Sequence, residues 1–355
     1  MGPELTIDGV EINDESPCYV IAEIGNNHQG DVAVCKEMFK VCKERGANAV
    51  KLQKRDNKTL FTQEMYDSPY VNHNAFGDTY GEHREFLEFG MDEYKELQDY
   101  ANEIGITFFA TAFDIKSADF LAELDMPAYK LASGDLTSAP LLKHVASIGK
   151  PMVISTGGAS MYDIHRAYDT IKPLNDQLCI MQCTAGYPPE WEELNLRVIE
   201  TFRKEFPDTV IGFSSHDSGI AMGPVGYILG ARVIEKHFTL NRANKGTDHA
   251  FSLEPPGLRR LVRDLERTHR SLGDGKKKRY DSEIKPLYKM GKKLVAARAI
   301  SAGEILKPED ITLRSPNDGT PPYRFEEFIG RKLIKDLPLE ANLMLSDTVG
   351  ADEEV

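Results

Sequence analysis

Apolar residues fall into eight short runs, near positions 19–24, 48–53, 106–112, 127–132, 151–155, 178–184, 208–214 and 232–238, and the stretches between them change to helical spacing. Runs that are apolar on both faces suit parallel strands covered by helices. After the first run, Asp31 reads as an N-cap, Val34, Cys35, Met38, Phe39 and Cys42 form one apolar stripe, and Gly46 reads as the stop. A second helix is expected from Asp92, burying Tyr94, Leu97, Ala101 and Ile104 before Gly105. Further helices are expected near Ala139, Met161, Asn195, Ile220 and Pro256. Repeated strand-then-helix units predict an α/β fold, a (β/α)8 TIM barrel spanning residues 1–273.

Two additions decorate this pattern. Asp8-Gly9 between the apolar residues of Leu5 to Asn13 signals a hairpin able to plug the N-terminal end of the barrel. Residues 55–91 make a long aromatic excursion after the second strand, on the rim where barrel chemistry resides. A polar linker is expected at 274–294. Beyond it, residues 295–355 carry short apolar pieces broken by Gly303, Pro308, Pro316, Gly319, Pro321 and Pro322, the composition of a small β-rich module.

Composition narrows the function. With 355 residues and 41% hydrophobic content the chain can bury a large core, and no apolar run approaches the roughly 20 residues that span a bilayer. The N-terminus lacks the basic start and apolar centre of a secretory signal, so the expected location is cytoplasmic, without a membrane partner. Cys18, Cys35, Cys42, Cys179 and Cys183 show no metal or redox spacing and read as reduced core residues. A net charge of −13 argues against a nucleic-acid surface, and the basic run Lys276 to Arg279 reads as a solvated loop.

The chemistry lies where the runs end. Val50 to Lys54, Tyr129 to Asp135, Val153 to Thr156, Phe213 to Asp217 and Val233 to His237 each pass from apolar residues into Lys, Ser or His. The C-terminal tips of parallel barrel strands converge on one site. His216 and His237 end neighbouring strands, and a neutral imidazole pair suits a divalent metal with substrate or water in the open positions. Lys51 and Lys130 need partners if buried. Three partners fit: a bound polyanion, a carbonyl substrate forming an imine, or ion pairs to Glu23 and Asp135. Ser133, Ser155 and Ser214, with Gly134, Gly157 and Gly158, add donors able to wrap phosphate oxygens.

Longer motifs carry a resemblance. Ala22 to Asp31, Lys51-Leu52-Gln53-Lys54, Lys130 to Asp135, Gly212 to His216, Glu235 to Thr239 and Gly246-Thr247-Asp248-His249 resemble the sialic acid (nonulosonate) synthases over nearly the whole chain. The end of the chain resembles that family's antifreeze-like (SAF) domain. Thr79 to Arg84 and Gln182 to Pro188 are most similar to the branch that contains the vertebrate enzyme, which takes a 6-phosphorylated sugar.

The resemblance implies a transferase that condenses phosphoenolpyruvate with an N-acylated hexosamine. Free N-acetylmannosamine is the first expectation. Its 6-phosphate, mannose 6-phosphate and legionaminate- or pseudaminate-type precursors are the alternatives. It also implies that Lys51, Lys130, Ser133, Ser155 and Ser214 bind phosphoenolpyruvate, and that His216 and His237 hold Mn2+ or Mg2+. Glu23, Gln53, Asp135, Tyr187 and Asp248 would face the sugar and its aldehyde. Arg314, from the SAF domain, would serve the partner's site in a domain-swapped homodimer. Three departures stand out: Ala185 where many bacterial members have Asn, Asp135 where Glu is frequent, and a shifted context for Arg314. A Schiff-base aldolase using Lys51 or Lys130, and a catalytically dead binding protein, are the competing classes.

Overall fold

The computed structural model describes residues 2–353; Met1, Glu354 and Val355, at the outer ends of the two expected domains, lie outside the described residues. An antiparallel hairpin, β1 (Glu4–Ile7) and β2 (Val10–Asn13), precedes eight parallel strands. These are β3 (Tyr19–Gly25), β4 (Ala49–Lys54), β5 (Thr107–Ala112), β6 (Tyr129–Leu131), β7 (Met152–Ser155), β8 (Leu178–Cys183), β9 (Val210–Ser215) and β10 (Val233–His237). Each pairs with its successor and β10 returns to pair with β3, so the sheet closes into a barrel with helices between strands. The predicted (β/α)8 architecture is the observed one.

Local chemistry sets the helix limits. Asp31 caps the helix Val32–Glu44 by accepting from the N–H groups of Ala33 (2.8 Å) and Val34 (3.1 Å). Helix Met91–Ile104 ends at Gly105, in the left-handed region at φ 68°. The helix expected near Asn195 starts at Val198, because Asn195 itself is left-handed at φ 38° and closes a preceding turn. Helix Ile115–Glu123, capped by Asp114, fills the stretch of helical spacing after the third run, for which no start residue was assigned.

The hairpin fills one end of the barrel. Leu5, Ile7 and Ile12 pack with Tyr19, Ile21, Ala49, Phe109, Val153 and Val233 in a single buried cluster. Each fully buried aliphatic side chain there is worth roughly 1.5–3 kcal/mol. Asp8 and Gly9 both have positive φ, the turn that a two-residue hairpin needs, and the Asp8 carboxylate accepts from Thr107 Oγ1 at 2.9 Å.

The chain divides into two compact units at Gly273/Asp274. The second contains the pairs β11 (Lys293–Ala296) with β12 (Ile311–Arg314), and β13 (Lys332–Leu333) with β14 (Thr348–Val349). Its own core is built from Leu294, Ile300, Leu306, Phe328, Leu333, Leu337 and Leu343. The stretch expected to be a polar linker contains a short helix, Ile284–Met290.

Candidate active site

Inward positions of the barrel change character halfway along the strands. Side chains alternate sides, so Ile21 is followed by Glu23, Ala49 by Lys51 and Gln53, Phe109 by Thr111, and Ala128 by Lys130. Val153 is likewise followed by Ser155, and Val233 by Glu235 and His237. The lower members are packed under the hairpin. The upper members line a cavity of about 720 Å³ at the C-terminal ends of the strands. Its wall includes Glu23, Lys51, Gln53, Lys130, Ser133, Ser155, Tyr187, Ser214, His216, His237 and Asp248, eleven of the residues expected from the sequence.

The cavity floor is a buried ion network. Lys51 contacts the Glu23 carboxylate, donates to Thr111 Oγ1 at 2.7 Å and lies 3.8 Å from Glu235. Lys130 donates to Ser155 Oγ at 2.6 Å and lies 3.5 Å from Glu235. An unpaired ammonium at this depth would cost several kcal/mol, which is why both lysines have carboxylate partners. Of the ion pairs weighed as one of three alternatives, Lys51 with Glu23 forms and Lys130 with Asp135 does not: Asp135 sits in the short turn Ser133–Asp135, outside the strand alternation. Glu235, unmarked in the sequence reading, takes its place because its side chain projects inward from β10, two positions before His237.

The same surroundings act oppositely on the two carboxyls. Burial pushes the Glu23 carboxyl up, against the pull of Lys51 and with the push of Glu235. Burial also opposes ionisation of Glu235, but Lys130 and Lys51 together outweigh it and hold that group below the usual range. Two ammonium groups thus share two carboxyls, of which Glu235 is held the more firmly ionised. Asp135, half-buried beside the cavity wall, is pushed up to about 6 mainly by burial.

Above the floor stand the histidines, with ring centres 5.3 Å apart. His216 Nδ1 lies 2.8 Å from the Thr184 carbonyl, which can only accept, so Nδ1 carries the hydrogen and Nε2 keeps its lone pair. Burial first, then the opposing ring of His237, pushes His216 down to about 4; burial does the same to His237. Both are neutral near pH 7. His237 Nδ1 is buried without a hydrogen-bond partner, and the nearest carboxylate oxygen, on Asp248, is 3.8 Å away. Two neutral imidazoles, one with an orphaned nitrogen, fit a divalent cation whose other positions come from substrate and water. No group of three or more His, Cys, Asp or Glu able to hold a metal ion gathers among the described residues.

The remaining residues complete the walls. Ser133 Oγ accepts the Gly157 N–H at 2.9 Å, and a Cβ on Gly157 would meet that oxygen at 2.8 Å and Ala185 Cβ at 3.0 Å. Ser214 donates to Glu235 at 3.2 Å, and the Tyr187 ring lies 4.2 Å from that of His216. Gln53 donates to Glu23 at 2.8 Å. Arg314 belongs to the second unit, where its Nε lies 3.4 Å from Glu340. Arg55 and Arg84 also line the cavity. The sequence reading missed them as individuals although it marked their excursion.

A closed parallel barrel with its buried charges and free imidazoles gathered at the strand tips is the architecture of a TIM-barrel enzyme. Residues 38–277 match the NeuB family and residues 293–339 the SAF domain. The chain is 41% identical to human N-acetylneuraminate-9-phosphate synthase over 94% of its own length and 93% of that protein. It is 34% identical to N,N'-diacetyllegionaminic acid synthase of Legionella pneumophila, covering 97% and 98%. The solved N-acetylneuraminic acid synthetase of Leptospira borgpetersenii superposes with a TM-score of 0.70 at 30% identity, over 81% of this chain and 95% of that one. The chain therefore belongs to the NeuB family, whose matched members here are sialic acid and other nonulosonate synthases.

Proposed function

We propose that this protein condenses phosphoenolpyruvate with an open-chain N-acylated hexosamine of the mannosamine type, giving a nine-carbon 2-keto acid and inorganic phosphate. The observation that carries this reading is the cavity that holds two buried lysines at its floor and two uncharged imidazoles above them.

In this reading Lys51 and Lys130 hold the carboxylate and phosphate of phosphoenolpyruvate, helped by the hydroxyls of Ser133, Ser155 and Ser214. A trianion is well matched to two ammonium groups with hydroxyl donors beside them. Gln53, Tyr187, Asp248 and, at the margin, Asp135 face the sugar. Carbon 3 of phosphoenolpyruvate bonds to the aldehyde carbon, water adds to carbon 2, and the bond from carbon 2 to the phosphate oxygen breaks. One proton of that water ends on the new hydroxyl and the other on the departing phosphate. Glu23, buried and with its proton affinity raised, relays a proton between these sites. A divalent cation such as Mn2+ or Mg2+, held by His216 and His237, would supply Lewis-acid polarisation of the aldehyde oxygen.

Arg314 would serve the barrel of a second copy in a domain-swapped homodimer; an active monomer in sedimentation excludes that arrangement. A cytoplasmic setting accords with these substrates, and no described helix is long and apolar enough to cross a membrane. Phosphate release from phosphoenolpyruvate is expected only when the hexosamine is also present, with one keto acid formed per phosphate. Release without sugar, or a pyruvate adduct trapped on Lys51 or Lys130 by borohydride, contradicts the reading.

A further inference from the structure

The inward faces of β9 and β10 carry the chemistry, and their outward faces carry a buried charge pair that the chemistry does not use. Ser214 and Glu235 line the cavity, so the next residues, Ser215 and Lys236, face outward, and they are direct register partners between the two strands. Lys236 is 3% exposed and donates through Nζ to the Asp217 carbonyl at 2.5 Å and to its carboxylate Oδ1 at 2.8 Å. Ser215 donates to the same carboxylate oxygen. Asp217 is equally buried, and among the described residues it is the only carboxylate that Lys236 contacts. Neither residue lines the cavity.

Their place in the chain gives the pair a consequence. Asp217 follows His216, and Lys236 precedes His237. The ladder between β9 and β10 stops at Ser215 and Lys236, so strand pairing with β10 does not reach His216. The His216 ring is held on one side by the Thr184 carbonyl, just past the end of β8, at 2.8 Å. Asp217 supplies the tie on the other side, to β10, and Lys236 holds both its main chain and its side chain. β10 is itself anchored around His237: the His237 carbonyl accepts from the Leu253 N–H at 2.7 Å, and the Phe238 N–H donates to the Glu23 carbonyl at 2.8 Å. The turn that carries one histidine is thus tied to the strand that carries the other.

Stability alone does not call for such a pair. Taking two charges out of water is costly, and well-packed apolar residues in their place are often as stable or more so. What apolar packing lacks is direction. Two imidazole nitrogens must both come within about 2 Å of one cation, and a ligand set tolerates errors of only about 0.5 Å. We propose that Lys236 and Asp217 are positioning residues whose buried contact sets the spacing of His216 and His237 for a divalent cation. This rests on the metal-assisted synthase reading.

The test uses the full-length protein stripped of metal, with Mn2+ binding read by electron paramagnetic resonance and unfolding by thermal melts in chelator. Lys236→Met should weaken Mn2+ binding roughly 10- to 100-fold, the scale for losing a group that orients metal ligands. It should also lower the melting temperature, because Asp217 keeps a buried charge without its partner. Adding Asp217→Asn removes that charge, so the melting temperature should return toward wild type while Mn2+ affinity stays low. Turnover of both variants should fall at limiting Mn2+ and recover as Mn2+ is raised, with KM for phosphoenolpyruvate as in wild type, since Lys51 and Lys130 are untouched. A double variant that binds Mn2+ as tightly as wild type overturns the proposal and leaves the pair a structural one. Should Lys236→Met fail to fold, Asp217→Asn alone carries the comparison, and unchanged Mn2+ affinity there overturns the proposal equally. Weakened Mn2+ binding in the double variant beside a wild type that releases no phosphate supports the clamp and overturns the synthase reading. Wild type that releases phosphate at full rate in chelator overturns the metal role, and the proposal with it.

Discussion

The two ends of the barrel are built from the same strands by the same alternation, yet one is sealed and the other is charged. At the N-terminal end the inward residues are Ile21, Ala49, Phe109, Val153 and Val233, closed by Leu5, Ile7 and Ile12 of the hairpin. One step of two residues further along, the inward residues are Glu23, Lys51, Thr111, Ser155 and Glu235. The sealed end gains stability from burial alone. The open end spends some of it, because each charge removed from water must be repaid by a partner. Stability and chemistry are thus separated along the barrel axis, and substitutions at the two ends should have different signatures.

The largest effect is expected at the charged end. Lys130→Met should lower kcat/KM for phosphoenolpyruvate by at least roughly 100- to 1000-fold, the scale for losing one preorganised electrostatic contact. It should also destabilise the fold by about 3–5 kcal/mol in denaturant titration, because Glu235 keeps its buried charge with one fewer partner. Leu5→Ala should cost a comparable 2–5 kcal/mol, roughly, by opening a cavity under the barrel, while leaving steady-state kinetics as in wild type. If Leu5→Ala impairs phosphoenolpyruvate kinetics at a temperature where it is fully folded, the separation of the two ends fails.

Adding Glu235→Gln to Lys130→Met sharpens the comparison. The double variant should recover about 1–3 kcal/mol of stability relative to Lys130→Met, since both charges are then gone, but none of the activity. Additive losses in a double-mutant cycle would mean that the two groups are not coupled.

The smallest effect is expected where charge meets the sealed end. Asp14, just after the hairpin, pairs with Arg203 through contacts of 2.7 and 3.0 Å, and the Arg203 hydrogen bond, against some burial, holds its carboxyl below the usual range. A depressed carboxyl stabilises the fold above its unfolded-state value and loses that contribution as pH falls through its folded-state value. Asp14 is about one-third exposed, so Asp14→Asn should cost no more than about 1 kcal/mol at neutral pH. The difference from wild type should vanish as the pH drops below the normal carboxylate range, as thermal melts across that range will show.

Much of this architecture is legible in the sequence because strand period and strand order determine it. Lys51, Lys130, His216 and His237 stand at the ends of apolar runs, so parallel pairing brings them to one rim whatever the details of the helices. Glu235 escaped notice because its neighbours Ile234 and Lys236 disguise the alternation, although Val233, Glu235 and His237 share one face. The pairing of Lys130 with Glu235 was hidden for a related reason: Asp135 is nearer in sequence, but Glu235 reaches across the barrel interior, a contact no local pattern encodes. Arg55 and Arg84 come from beyond the strand period, and only the folded excursion brings them to one wall.

The most direct test of the central claim follows the oxygen that bridges carbon 2 and phosphorus in phosphoenolpyruvate. With that atom isotopically labelled and the hexosamine present, the label should appear in the released phosphate, together with a nine-carbon keto acid, and Lys130→Met should abolish both. Label retained in the keto acid, or no phosphate released from any N-acylhexosamine, would contradict the account.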